Sequence, residues 1–272
     1  MNLEKQAWLG RRSILEMVRA SQSGHLGGSL SAIDILTVLY FEVLNVDPAH
    51  PDDPARDRFV LSKGHATPAL YSTLSARGFI PEADLPRWRQ LDSDLSGHAE
   101  MTKIPGVEMS TGSLGQGLSA AVGMALAARV DGLGYRVFAL LGDGEIQEGQ
   151  IWEAAMAAGH YKLANLVAFV DNNDLQIDGC VADVLSPYPI GAKFAAFGWQ
   201  VSEIDGHDLD AIRQAVAAAG ADGKPTAIVA KTVKGKGVSF MENVAKWHGS
   251  VPDADLFDQA FAEVDSKIGE LA

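Results

Sequence analysis

Two residues at one spacing carry the most chemistry in this chain. Asp143, in Gly142-Asp143-Gly144, and Asn173, in Asp171-Asn172-Asn173, stand thirty residues apart, and each follows an apolar run. The runs Val137–Leu141 and Leu166–Val170 have the length and composition of buried parallel strands. Between them Ile151, Ala154, Ala155 and Ala158 recur at i, i+3, i+4, i+7, the buried face of a helix. Right-handed crossover sets both strand ends on one sheet edge, so Asp143 and Asn173 are expected to converge. A carboxylate with a side-chain amide suits a hard cation, Mg²⁺ or Ca²⁺, rather than zinc. Mg²⁺ held by two side chains keeps open positions that phosphate oxygens fill. A helix start after Gly144 would offer free N–H groups to the same anion. The unit predicts a metal-bridged diphosphate, although Gly-Asp-Gly by itself also serves as an ordinary turn.

The histidines form a second pattern. Of seven, six adjoin a glycine: His25, His65, His98, His160, His207 and His248. Glycine lets the main chain approach a ligand closely or adopt positive φ. Any one of these reads equally as a surface-loop histidine; six together point to ligand-facing loops. His50, between Ala49 and Pro51, reads as a solvated loop residue.

The elements that position these groups can be read along the chain. Residues 1–22 read as an amphipathic helix; Ser23–Ser29 reads as a loop, with Ser29 or Ser31 capping the helix that follows. Strands are expected at Phe59–Leu61, Trp199–Ile204 and Thr226–Ala230, with helices at about Pro68–Arg77, Ala120–Ala128, Asp208–Gly220 and 251–272. Strands alternating with helices predict an α/β fold with a doubly wound, mostly parallel sheet, formed by residues 1–272 as one domain with a helical tail from about 251. Lys231–Gly237 is a basic, glycine-rich loop, suited to meeting a sugar phosphate at an entrance or to lying in solvent. With 47% hydrophobic and 21% charged residues the composition is that of an ordinary globular protein. A formal net charge of −13 argues against nucleic acid. No uninterrupted apolar run approaches 18 residues, which predicts no membrane span. The lone Cys180 and the charged start suit a reducing, cytoplasmic compartment.

Gly142-Asp143-Gly144 followed by Asn172-Asn173, with 27 residues between Gly144 and Asn172, resembles the thiamine diphosphate motif. The continuation Asn173–Gly179 resembles the transketolases, and the resemblance covers roughly residues 10–255. It implies the thiamine-diphosphate-binding fold, with Mg²⁺ (Ca²⁺ able to substitute) on Asp143, Asn173 and the backbone carbonyl of Leu175. Ser23-Gly24-His25, Lys63-Gly64-His65, Gly97-His98 and His248-Gly249 resemble four histidine loops of that family. By this resemblance His25, His98 and His248 meet the sugar. His65, Gly112, Ser113, Leu114, Gly144 and His248, with Asp143 and Asn173, meet the cofactor. The resemblance also puts Glu148 and Glu153 in an acidic network joining active sites across a dimer; their bland alternative is favourable charge near a helix N-terminus. His160 and His207 are expected to be structural. Two departures, Ser113 and Ala99 where the family commonly has proline, bear on loop geometry and substrate preference.

The family's activating glutamate belongs to a pyrimidine-binding domain, for which nothing in these 272 residues has room. The resemblance therefore implies the N-terminal, diphosphate-binding subunit of a split transketolase. A separate C-terminal subunit would complete it as an α2β2 assembly that moves a two-carbon ketol unit between sugar phosphates. Two alternatives stay open: a subunit of another thiamine diphosphate enzyme, of decarboxylase or 2-oxo-acid dehydrogenase type, or a non-catalytic cofactor-binding or regulatory subunit.

Overall fold

A computed structural model describes residues 2–271. In chain order the strands are β1 (Arg58–Leu61), β2 (Val137–Gly142), β3 (Leu166–Asn172), a short hairpin β4 (Leu175–Gln176) and β5 (Gly179–Cys180), then β6 (Gln200–Asp205) and β7 (Thr226–Lys231). The helices are α1 (Leu3–Ser21), α2 (Leu26–Val38), α3 (Thr67–Ala76), α4 (Gly117–Val130), α5 (Gly149–Tyr161), α6 (Val181–Leu185), α7 (Ile190–Ala196), α8 (Leu209–Ala217) and α9 (Ala254–Glu270). Five strands make one all-parallel sheet in the order β1-β2-β3-β7-β6, and β4 pairs antiparallel with β5 outside it.

The apolar runs are continuous because the sheet is covered on both faces. Successive side chains alternate between two layers. Phe138, Leu140, Val167, Phe169 and Ile228 join the core built with α1, α2, α3, α8 and α9. Val137, Ala139, Leu141, Leu166, Ala168, Val170 and Ala227 join the core built with α4, α5 and α7. Parallel register, with Leu140 beside Phe169 and Phe169 beside Ile228, brings the C-terminal ends of β2, β3 and β7 to one edge. The expected doubly wound architecture is the one found. The face of α5 is also the predicted one, with Ile151, Ala154, Ala155 and Ala158 buried.

Local differences have physical causes. Ser29 and Ser31 do not cap a helix; both lie inside α2, which begins at Leu26. Gly27 and Gly28 are packing residues of that helix rather than loop residues. A Cβ on Gly27 would stand 2.8 Å from Lys234 Cγ and 3.0 Å from the Trp247 carbonyl oxygen. Close packing here overrides glycine's poor helix propensity. After Gly144 comes a single 3₁₀ turn, Glu145–Gln147, and α5 begins only at Gly149. The continuous helical stretch Leu26–Val43 is long and apolar enough to cross a membrane, although no uninterrupted apolar run marks it. Its side chains are mostly buried in the core, the usual place for such a helix in a globular fold.

Candidate cofactor and substrate site

The ends of β2 and β3 bring Asp143 and Asn173 into one cavity of about 240 Å³. Asp143 Oδ2 accepts from the Asp174 amide at 2.5 Å, and Oδ1 accepts from the Gly144 amide at 2.8 Å. Asn173 Oδ1 accepts from the Leu175 amide at 3.2 Å. Asn172, with its amide oriented to satisfy both its atoms, donates to Asp143 Oδ2 at 3.2 Å and meets the Tyr188 hydroxyl at 2.9 Å. These bonds tie the β2 and β3 ends together across the thirty residues that separate them.

Four of the six glycine-adjacent histidines meet at the same cavity. The ring centroid of His25 lies 5.1 Å from that of His65, 6.1 Å from His98 and 5.3 Å from His248; His65 and His248 are 5.1 Å apart. Burial pushes His25 down to about 4, with help from Arg89, His98 and Lys234. Burial likewise takes His248 down to about 3, with Lys234 next in effect. His65, by burial and then Lys63, lies well below its ordinary value; His98 is lowered by burial and Arg89. At neutral pH the cluster is therefore uncharged, and each ring offers one donor and one acceptor nitrogen. Gly112 makes room for it: its φ is +146°, and a Cβ there would press to 3.1 Å from the His98 ring. The Thr111 amide donates to the Ala99 carbonyl at 3.0 Å, fastening the two loops.

Charged groups that the motifs did not announce complete the floor. Lys63 and Lys234 are each 2% exposed. The Lys63 ammonium donates to the Gly28 carbonyl at 2.8 Å and pairs with Asp171, itself 0% exposed. Asp171 also accepts from Ser31 Oγ at 2.6 Å, Asn173 Nδ2 at 3.3 Å and the Thr232 hydroxyl. Burial opposes its charge, but Lys63, Ser31 and Thr232 hold its carboxyl below the usual range. Lys234 donates to the Leu175 carbonyl at 2.8 Å, and burial followed by Lys63 lowers it to about 8. Asp143 moves the other way, raised to about 7 by burial and the nearby Asp171. Glu145 accepts from Ser62 Oγ at 2.5 Å, Gly115 N–H at 3.0 Å and Gly142 N–H at 2.9 Å, locking the 112–117 loop to the ends of β1 and β2.

Not every expected residue reaches this place. Gly112, Leu114, Gly144 and Leu175 line the cavity, whereas Ser113 is exposed beside it. Glu148 precedes α5 and Glu153 lies on that helix; both are exposed and outside the cavity, because the buried face of α5 is spent on the sheet. The basic loop is not solvated at Lys234, which is buried and lines the cavity; Gly235 N–H donates to the Gly27 carbonyl at 3.0 Å and draws the loop onto α2. His207 lies outside the cavity, bonded to Asp34. A wider groove of about 710 Å³ runs between α1 and α9, but its charges pair with each other (Arg12 with Asp265, Arg19 with Asp258) rather than converging on a ligand.

The donor set fits a diphosphate carried on a hard cation. Asp143, Asn173 and the Leu175 carbonyl offer oxygen donors in one cavity, and two ammonium groups stand beside them. His248 Nδ1 and Gln176 Nε2 are buried there without a partner among the described residues, as polar atoms reserved for a ligand are. The transketolase, thiamine diphosphate binding domain family matches residues 5–265. The chain belongs to the transketolase family. It is 45% identical over 270 residues to an apulose-4-phosphate transketolase subunit of Phocaeicola vulgatus, covering 99% of this chain and 96% of that one. It is 44% identical over 268 residues to a 6-deoxy-6-sulfo-D-fructose transketolase subunit of a Clostridium species, covering 98% of each. Against the mouse transketolase it is 42% identical over 261 residues, spanning 95% of this chain but 41% of that longer one. The crystal structure of Campylobacter jejuni transketolase superposes with a TM-score of 0.92 at 36% identity, over 99% of this chain and 43% of that one. As a transketolase the chain is a transferase with a thiamine diphosphate binding domain, and its similarity to full-length chains named as subunits implies a partner.

Proposed function

We propose that this chain is the N-terminal, diphosphate-binding subunit of a two-chain transketolase that moves a two-carbon ketol unit from a ketose to an aldose, both sugar phosphates or close analogues. The observation that carries the proposal is the meeting of four uncharged histidines above a floor made by Asp143, Asn173 and two lysines. Asp143, Asn173 and the Leu175 carbonyl would hold Mg²⁺, with Lys63 and Lys234 balancing the diphosphate and His65, Gly112, Leu114 and Gly144 around it. When bound, thiamine diphosphate supplies the nucleophilic carbon at which the C2–C3 bond of the ketose is broken and a new bond made. The chain's own residues do the rest. His25, His98 and His248 bind sugar hydroxyls, and as neutral imidazoles they can take a proton at one nitrogen while the other holds position. The buried walls exclude water that would otherwise intercept the two-carbon unit. Glu148, just before α5, and Glu153, on its exposed side, would meet a neighbouring subunit rather than sugar.

The partner chain would bring the pyrimidine-binding half, including the glutamate that activates the cofactor, in an α2β2 assembly. Reconstitution with the partner tests this. With Mg²⁺ and thiamine diphosphate, ketol transfer from a ketose phosphate to an aldose phosphate is expected, with apulose 4-phosphate, 6-deoxy-6-sulfo-D-fructose and xylulose 5-phosphate the first donors to assay. Decarboxylation of pyruvate with every ketose untouched would sink the proposal.

A further inference from the structure

His207 stands in the turn between β6 and α8, away from the cofactor cavity, and has an unusually defined environment. Its Nε2 accepts from the Val233 amide at 2.9 Å. An amide can only donate, so Nε2 is unprotonated and the proton resides on Nδ1, which donates to Asp34 Oδ2 at 2.6 Å. Asp34, on α2, receives both arms of the Arg11 guanidinium, at 2.9 and 2.5 Å. Arg11, on α1, also donates through Nε to the Lys236 carbonyl at 3.1 Å. The two ends of one short loop, Val233 N–H and Lys236 C=O, are thus gripped by a single bonded unit made of buried Arg11 and Asp34 and half-buried His207. Between those grips lies Lys234, whose ammonium reaches the Leu175 carbonyl inside the cavity.

We propose that Arg11, Asp34 and His207 form a clamp that positions Lys234 toward the bound diphosphate, with His207 a positioning residue that touches neither cofactor nor sugar. The inference rests on the function proposed above. A flexible lysine surrenders much rotamer freedom when it binds a phosphate, and a loop pinned at both ends removes that cost in advance. The grip is also geometrically tight: Gly235 has φ +79°, and a Cβ there would meet the Met241 carbonyl oxygen at 2.5 Å. Gly235 N–H also donates to the Gly27 carbonyl at 3.0 Å and the Asn243 amide to the Lys234 carbonyl at 2.9 Å, so the clamp sets the two ends of a loop whose middle is held as well.

Glutamine can donate to Asp34 and accept from Val233 with one side chain, as the neutral imidazole does; leucine can do neither. The test measures thiamine diphosphate affinity at saturating Mg²⁺ by calorimetry, on the full chain assembled with its partner, beside the melting temperature of each variant. Lys234→Met and His207→Leu should each weaken binding by about 10- to 100-fold, the usual cost of losing a group or its support, and His207→Gln should restore it to within about threefold. The double variant His207→Leu/Lys234→Met should bind no worse than Lys234→Met alone, because the clamp acts only through that lysine. Wild-type affinity in His207→Leu, with Lys234→Met weakened, overturns the clamp and leaves the cofactor site standing. Wild-type affinity in Lys234→Met overturns the placement of diphosphate beside it. An additive loss in the double variant also overturns the clamp, by showing general destabilisation. Should His207→Leu fail to assemble, Arg11→Lys replaces it: lysine keeps a charge on Asp34 but cannot also reach the Lys236 carbonyl, and unchanged affinity there refutes the clamp.

Discussion

Lys63→Met should be among the most damaging single changes that leave Asp143 and Asn173 in place. The Lys63 side chain is 2% exposed and its partner Asp171 0%. Methionine fills the volume but leaves a carboxylate in the core with only Ser31, Thr232 and Asn173 to face it. Breaking a buried pair by removing one partner costs about 3–5 kcal/mol, a large part of a domain's margin. The sign of the pH dependence follows. In the wild type Asp171 is held below its ordinary pKa, so it stabilises the fold above the unfolded value and loses that effect as pH falls through the folded one. Without Lys63, burial raises the Asp171 pKa instead, and the penalty is relieved once the carboxyl takes a proton. Urea unfolding at pH 8 and pH 5 should show the deficit of the variant shrinking toward acid, and Lys63→Met/Asp171→Asn should recover part of it at pH 8. A deficit under about 1 kcal/mol at pH 8, the range of an exposed pair, or one that grows toward acid, would refute this account.

Three further outcomes are expected. Asp143→Ala should abolish Mg²⁺-dependent thiamine diphosphate binding in titration calorimetry while leaving far-ultraviolet circular dichroism unchanged; intact binding would remove the metal from this site. Folded-state pKa values of about 4 for His25 and about 3 for His248 mean that the unfolded chain binds more protons below about pH 6.5. Stability should therefore decline from pH 7 to pH 5, by less than about 1 kcal/mol per pH unit for each histidine because both are partly solvated, and His25→Asn/His248→Asn should flatten the slope measured by denaturation. Gly27→Ala must displace Lys234 or the Trp247 carbonyl, so a loss of about 1–3 kcal/mol is expected in a thermal melt; an unchanged melting temperature would show that α2 can yield there.

What could be read in advance divides by the range of the forces involved. The strand–helix–strand unit was legible because its period and its apolar runs are local properties, and α5 buries the four residues its spacing named. The histidine loops were legible because glycine marked them. Lys63, Asp171, Glu145 and Lys234 were not, because a buried charge is tolerated only through partners that sequence does not place together; Lys63 and Asp171 are 108 residues apart. One local signal was available, namely that Asp171 directly continues an apolar strand, where a carboxylate is costly unless paired. The basic loop read equally as a place to meet a sugar phosphate or as a solvated segment; the burial of Lys234 and the loop's bonds to α2, Arg11 and His207 show it packed in place. His207, expected to be structural, is bonded between Asp34 and the loop that carries Lys234.

The two lysines under the cavity sit in a molecule whose formal charge is −13. Within about one Debye length, some 8 Å at physiological ionic strength, an approaching anion meets the repulsion of the acidic surface, which is screened farther out; only at contact does it meet the ammonium groups. Capture should therefore quicken as salt is added, the reverse of a steered encounter, whereas escape, governed by the short-range grip, should respond much less. A diphosphate cofactor held in this way should load slowly and leave slowly.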